Sequence, residues 1–171
     1  MRLVINIIIF IIVLLVGIVI FMPKSQLYFL AEKYLNNNYG IIIEEKLKET
    51  PINLAIEDAK VYAQGLEVVY INSIKIDPYI ILNRVVAKDI ELAGVAKDFM
   101  NISIEKAILK ESILKPFIVD VKANGSFGVA KGWIDLKRRL LHIDIIDVKN
   151  INPIKKYLHK NQKGWYYESK F

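Results

Sequence analysis

The chain contains no cysteine among its 171 residues and only two histidines, His142 and His159. Without thiols it has no disulfide framework, no thiolate nucleophile and no cysteine-based zinc site. His142 falls in a strand pattern and shares a polar, solvated face with Asp144, while His159 falls in a short helix. Neither joins the cluster of histidines and acids that a metal ion or a catalytic base requires. Asp144 and Asp147 do not converge on one face. The stretch GSFGVAKG, residues 125–132, lacks the GKS or GKT ending of a phosphate-binding loop and sits within two-residue alternation. Its glycines suit a turn and tight sheet curvature instead. No catalytic residue, metal or cofactor is expected, and a hydrolase would have no nameable residues.

Charge is nearly absent from the beginning of the chain. The run from Leu3 to Met22 is interrupted only by Asn6 and Gly17, and as a helix it would cover about 30 Å, the thickness of a bilayer's hydrocarbon core. Its apolar residues have no polar stripe opposite them, which argues against a helix buried in a protein core. The following Phe21-Met22-Pro23-Lys24 offers no small-x-small cleavage site, and the run exceeds the usual length of a signal peptide's apolar region. Residues 1–23 therefore read as an uncleaved transmembrane signal anchor, with Leu3, Ile8, Ile12, Leu15 and Ile20 among its lipid-facing residues. A short leader before a single span places the N-terminus in the cytoplasm. The expected location is the bacterial inner membrane, with residues 24–171 periplasmic.

Residues 24–40, with Leu27, Leu30, Ala31, Tyr34 and Leu35 at helical spacing, predict a juxtamembrane amphipathic helix packed on the domain that follows. Ser25 is its expected N-cap and Gly40 its stop. From residue 41 the period becomes two. Ile52, Leu54 and Ile56 share one face, as do Leu66, Val68 and Tyr70, then Ile74 and Ile76. Phe117, Val119, Val121 and Ala123 follow, then Phe127 and Val129, then Leu141, Ile143 and Ile145. Turn residues such as Gln64-Gly65, Asp77-Pro78 and Asn124-Gly125 separate the runs, and Lys137–Arg139 tips a hairpin. The stretch from Ala107 is open to either strand or helix. Asn152-Pro153 begins a short C-terminal helix, and GWYYESKF a last strand with Trp165 and Tyr167 on one side.

The expected fold class is thus membrane-anchored and mainly β: a transmembrane helix, an amphipathic helix, then a curved antiparallel meander with a short C-terminal helix, residues 41–171 forming one domain. Between residues 41 and 148 no amphipathic helix is long enough to cover a sheet, so its apolar face must be covered by other means. Ile52, Leu54, Ile56, Phe117, Val119, Phe127 and Trp165 are the candidates for an apolar groove or docking face.

Residues 24–148 carry 17 Lys and Arg against 17 Asp and Glu, whereas the tail 149–171 holds six lysines against the single acid Glu168. Lys149, Lys155, Lys156, Lys160 and Lys163 are candidates for contact with anionic head groups or an acidic partner. No recognition motif for nucleic acid accompanies them.

The anchor, a helix ending in NNNYG, then LAIEDAKVY, INSIKIDPYIIL, DIELAG and GVAKGWIDLKRRLLHIDI give an order of features that resembles the AsmA-like envelope proteins and protein N of type II secretion systems. GVAKGWIDL, residues 128–136, is similar to a G-x-x-x-G-x-[IL]-D-L run near a late hairpin in those families. The resemblance implies a non-enzymatic periplasmic β domain that assists secretion assembly or handles lipid. Two functions follow as expectations: an assembly component docking onto other envelope or secretion proteins through edge strands and the aromatic tail, or a module holding phospholipid acyl chains on its concave face.

Overall fold

A computed structural model describes residues 2–79, 81–162 and 164–171; the side chains of residues 2–4, 8, 15 and 19 are outside the description. Helix α1 (Arg2–Phe21) is followed by α2 (Lys24–Tyr39). A meander then runs through β1 (Ile41–Glu49), β2 (Leu54–Ala63), β3 (Leu66–Pro78), β4 (Leu82–Leu92), β5 (Ser103–Ser112), β6 (Lys115–Gly125), β7 (Gly128–Asp135) and β8 (Leu140–Val148). Helix α3 (Gly94–Phe99) interrupts it after β4. A 3-10 helix (Lys155–Tyr157), β9 (His159–Asn161) and β10 (Gly164–Lys170) complete the chain. The ten strands form one antiparallel sheet in the order β1-β2-β3-β4-β5-β6-β7-β8-β10-β9.

The 20 residues of α1 match the apolar run in the sequence. Among the described residues, however, no helix is long and apolar enough to cross a membrane. Of the anchor residues, Leu3, Ile8 and Leu15 have side chains outside the described set, while Ile12 and Ile20 are exposed.

Gly40 ends α2 in the left-handed conformation (φ 65°), its N–H donating to the Asn36 carbonyl. At the other end the expected Ser25 cap is replaced: Pro23 holds the cap position, and the Glu49 carboxylate at the end of β1 accepts from the Ser25 hydroxyl and from the backbone N–H groups of Lys24 (3.1 Å) and Ser25 (3.3 Å). The distant acid serves the helix's unpaired N–H groups. The packing face of α2 also differs from the sequence expectation. Tyr28 packs against Leu54, Ile56 and Ala59, while Leu27, Leu30, Ala31 and Tyr34 remain exposed and only Leu35 is half-buried.

Alternation alone misplaces part of β3. Between the pairs Glu57↔Ser73 and Ala59↔Ile71, and again between Ser73↔Lys88 and Ile71↔Ile90, one additional residue stands in each strand. Asp58, Asn72, Asp89 and Glu105 thus share one register across β2–β5. Asp58 and Asp89 take left-handed φ values of 54° and 52°, which short polar side chains tolerate. Inward residues are consequently three apart at this row: Ile56 and Ala59, Ile71 and Ile74, Ala87 and Ile90, Ile104 and Ala107. Val69 and Ile71, rather than Val68 and Tyr70, face inward, and Tyr70 donates to Asp58 on the polar side (3.1 Å). Such an inserted row bends a sheet and increases its twist.

Two buried clusters result. Leu54, Ile56 and Ala59 lie beneath α2, and Phe127, Ala130, Ile145 and Ile151 lie toward the other edge. One open reading is decided and two expectations change. Ala107 lies within strand β5; the C-terminal helix shrinks to a three-residue 3-10 turn; and His159 belongs to edge strand β9.

Candidate functional site

The apolar face has a floor of small side chains. Register aligns Ala87, Ala107, Ala123 and Ala130 across β4–β7, and the row continues into Ile145 and Trp165. Larger residues flank it on one side, where Val85, Leu109 and Val121 stand in the next row. That row continues through Gly132 into Ile143 and Tyr167. On the other side Gly125 pairs with Gly128. Small residues between large ones on a bent sheet leave a trough, and here it opens into a cavity of about 590 Å³. Met100, Ile102 and Ile104 wall it on one side, Ile143, Ile145 and Tyr167 on the other, with Ile154, Tyr157 and Leu158 folded over from the C-terminal segment. This volume lies within the roughly 300–1,000 Å³ typical of small-molecule sites.

Three of the tail lysines stand beside this cavity. Lys155 Nζ and Lys160 Nζ lie 5.5 and 5.4 Å from the Trp165 ring centroid, and Trp165 packs against the buried cluster that floors the cavity. Lys156 Nζ lies 4.8 Å from the centroid of Tyr157, a wall residue. These cation–π contacts hold ammonium groups at the edge of an apolar space. Lys149 is exposed in the turn after β8, and Lys163 lies outside the described residues.

The sequence-derived groove residues divide. Phe127 is buried in the turn between β6 and β7 and lines the cavity; Val119 is half-buried on the apolar face opposite Ile134; and Trp165 packs beside the cavity. Leu54 and Ile56 do not form an open face, because α2 covers them at 1 % exposure each. Ile52 precedes β2 in an exposed loop. Phe117 occupies an irregularity of β6 with φ 70° and is turned out to solvent. Leu54 and Ile56 were read correctly as inward-facing, but nothing local in the sequence showed which part of the face a helix would occupy. The cavity floor was missed. The small residues Ala123 and Gly125, followed on the next strand by Gly128, Ala130 and Gly132, were the available sign.

The opposite face is polar. His142 is half-buried rather than solvated, stacked between Trp133 and Tyr166 with both centroid separations 5.5 Å. Its Nδ1 lies 2.9 Å from Glu168 and its Nε2 3.3 Å from Asp144. This cross-strand arrangement ties β7, β8 and β10 together. Among the described residues no group of three histidines, cysteines or acids could hold a metal ion.

Glu45 on β1 faces α2. Burial, with the nearby Glu32 carboxylate adding to it, raises its carboxyl above the ordinary 4.5, while the Tyr28 hydroxyl pulls the other way. Burial foremost, then the Glu45 and Glu32 charges, likewise raises Tyr28 above its ordinary 10.0. A raised carboxyl means that the folded protein binds this proton more tightly than the unfolded chain. Its contribution therefore grows as pH falls from 7 through the folded-state value and is complete below the ordinary 4.5. Glu49 and Asp58 act oppositely. The Ser25 hydroxyl chiefly lowers Glu49 and the Lys46 contact chiefly lowers Asp58, so their stabilisation is lost only as pH falls below their ordinary 4.5 and 3.8. The thermal midpoint should thus rise on mild acidification from pH 7, and Glu45→Gln should flatten that rise while leaving the loss at lower pH. A wild-type midpoint that falls monotonically from pH 7 contradicts this.

Compared with protein-family models, curated proteins and solved structures, the chain matches none of them.

Proposed function

We propose that the protein is a non-enzymatic, membrane-anchored module that holds the acyl chain of an anionic amphiphile, a phospholipid or its lyso form, in the trough of its sheet. The observation carrying this reading is the apolar cavity of about 590 Å³ lined by Ala123 and Ala130 among larger apolar residues, with Lys155, Lys156 and Lys160 beside it. A chain of methylenes gains about 0.8 kcal/mol for each one taken from water, and a cation at the cavity edge complements a phosphate or carboxylate head. Membrane anchoring rests on the run Leu3–Met22, broken only by Asn6 and Gly17, and on the exposure of the described apolar side chains of α1, Ile5, Ile9, Phe10, Val13 and Ile18 among them, which an apolar surrounding would satisfy. An inner-membrane location with a periplasmic sheet, and kinship with AsmA-like proteins or protein N of type II secretion, remain part of this proposal on the sequence pattern alone.

The assembly reading has support of a different kind. Leu27, Phe29, Leu30 and Tyr34 leave α2 with an unpartnered apolar stripe. Strand addition supports it less. Edge strand β1 alternates Glu44, Lys46 and Lys48 outward, and edge strand β9 has three residues, two features that discourage pairing with another chain.

Native mass spectrometry of the full chain released from membranes tests the lipid reading. Retained phospholipid adducts are expected, with anionic species enriched, and replacing Lys155, Lys156 and Lys160 with Gln should remove that enrichment while leaving adducts. A bare protein mass, with envelope proteins co-purifying instead, would favour the assembly reading and overturn this one.

A further inference from the structure

The meander puts alternate turns at opposite ends of the sheet. Strands of 8 to 13 residues separate those ends by about 30 Å at about 3.3 Å per residue. The two ends differ in chemistry. Away from α1, the turn tips are Gln64-Gly65, Ser126 and Asn150, and the exposed apolar residues, Tyr39, Leu66, Val148, Tyr157 and Val95 and Phe99 of α3, stand on elements beside those tips or in the C-terminal segment. At the end where α1 joins α2, the turns break the usual preference for small polar residues. Ile52, Ile81, Ile113, Leu114 and Leu136 are all exposed there, Leu114 at 84 %, and the chain ends at exposed Phe171.

These tips form a connected row. The Ile113 N–H donates to the Ile81 carbonyl (3.2 Å), the Leu136 N–H to Phe117 (2.8 Å) and the Phe171 N–H to Arg139 (3.1 Å). The Glu49 bonds to Lys24 and Ser25 tie the base of α2, separated from α1 by two residues, to the same end of the sheet. Exposed Lys137, Arg138 and Arg139 lie in the row. Three acids at this end are turned inward or engaged, Glu49 with α2, Asp77 buried beside Lys75 and Asp135 buried beside Arg138, and Glu111 accepts from the Asn83 amide (2.8 Å). The row therefore presents apolar tips and cations together.

We propose that this row of tips is a membrane-contacting rim, its apolar residues entering the boundary between acyl chains and head groups while Lys137–Arg139 meet anionic head groups. Apolar surface flanked by Lys and Arg is the composition that binds such an interface. This inference rests on the anchored reading of α1, and it would stand the sheet upright on the bilayer with the cavity raised toward the far end.

The absence of cysteine permits clean single labels. Ile81→Cys, Leu114→Cys and Leu136→Cys, with Gln64→Cys and Asn150→Cys as controls, would each carry an environment-sensitive fluorophore in the full chain reconstituted into phosphatidylcholine vesicles containing phosphatidylglycerol. Flotation with the vesicles reports the anchor; quenching by nitroxide-labelled lipid reports the rim. Labels at 81, 114 and 136 should be blue-shifted and quenched several-fold more than those at 64 and 150. Replacing Lys137, Arg138 and Arg139 with Gln should reduce that quenching. A protein that floats with all five labels equally wet overturns the rim alone, and one that does not float overturns the anchor and the rim together.

Discussion

Ala123→Phe is expected to weaken lipid retention by at least about tenfold while the sheet stays folded. Ala123 is half-buried and lines the cavity, opposite Ala130 on β7 and Ala107 on β5. A benzyl group there projects into open space rather than into backbone, so the change fills the trough without the strain that follows overpacking of a closed core. The ring would displace roughly two or more methylenes of a bound chain, each worth about 0.8 kcal/mol, which gives the tenfold figure. Circular dichroism should match the wild type, and the thermal midpoint of lipid-free protein should be unchanged or higher because apolar surface is newly covered. Undiminished phospholipid adducts in a folded variant would show that the chain binds elsewhere.

Gly128→Ala is expected to be the most damaging single-methyl change in the sheet, costing about 3 kcal/mol or more. Gly128 has φ 112°, a conformation L residues rarely adopt, and a Cβ there would run into the Asp147 carbonyl, with the Lys149 nitrogen 3.0 Å away. Asp147 and Lys149 belong to the backbone on either side of the Gly128↔Val148 pair, so relief requires moving β8. Gly65→Ala separates the two causes. Gly65 also has a positive φ, 81°, but nothing lies within 4 Å of its would-be Cβ, so only the conformational cost of about 1 kcal/mol should appear. For a chain of this size, 3 kcal/mol corresponds to a fall in thermal midpoint of very roughly 10 °C. Equal midpoints for the two variants would mean that β7 and β8 are not held as closely as the geometry indicates.

Much of the fold was legible because its signals are local. Two-residue alternation marks strands wherever one face is buried, and the short turns force consecutive strands to be neighbours, so an antiparallel meander follows from residues 41–148. Gly40 as a helix stop and the face shared by Trp165 and Tyr167 were equally readable. The inserted row through Asp58, Asn72, Asp89 and Glu105 was not. A one-residue insertion exchanges the faces of everything beyond it, and the insertions become visible only when four strands lie side by side. The Ser25 cap failed for a similar reason: a local side chain competed with Glu49, a partner 24 residues away that proximity in sequence does not reveal.

The candidate site shows the same division. The basic tail and the apolar face were present in composition and period, but α2's choice of which part to cover was not. An apolar stripe on a helix states that burial is favourable without stating against what, and here Tyr28 packs on the sheet while Leu27, Leu30 and Tyr34 face away.

By itself the sequence determined a chain with a long apolar N-terminal helix, a sheet with one greasy face, and cations gathered at its tail, because each follows from the periodicity and chemistry of neighbouring residues. Only the tertiary structure decided that four alanines from four strands align, that two of them line a cavity beside which the tail lysines stand, and that apolar turn residues collect at the end where α1 joins α2. Those are relations between residues far apart in the chain, fixed by strand register, and register is set by the packing of the whole sheet.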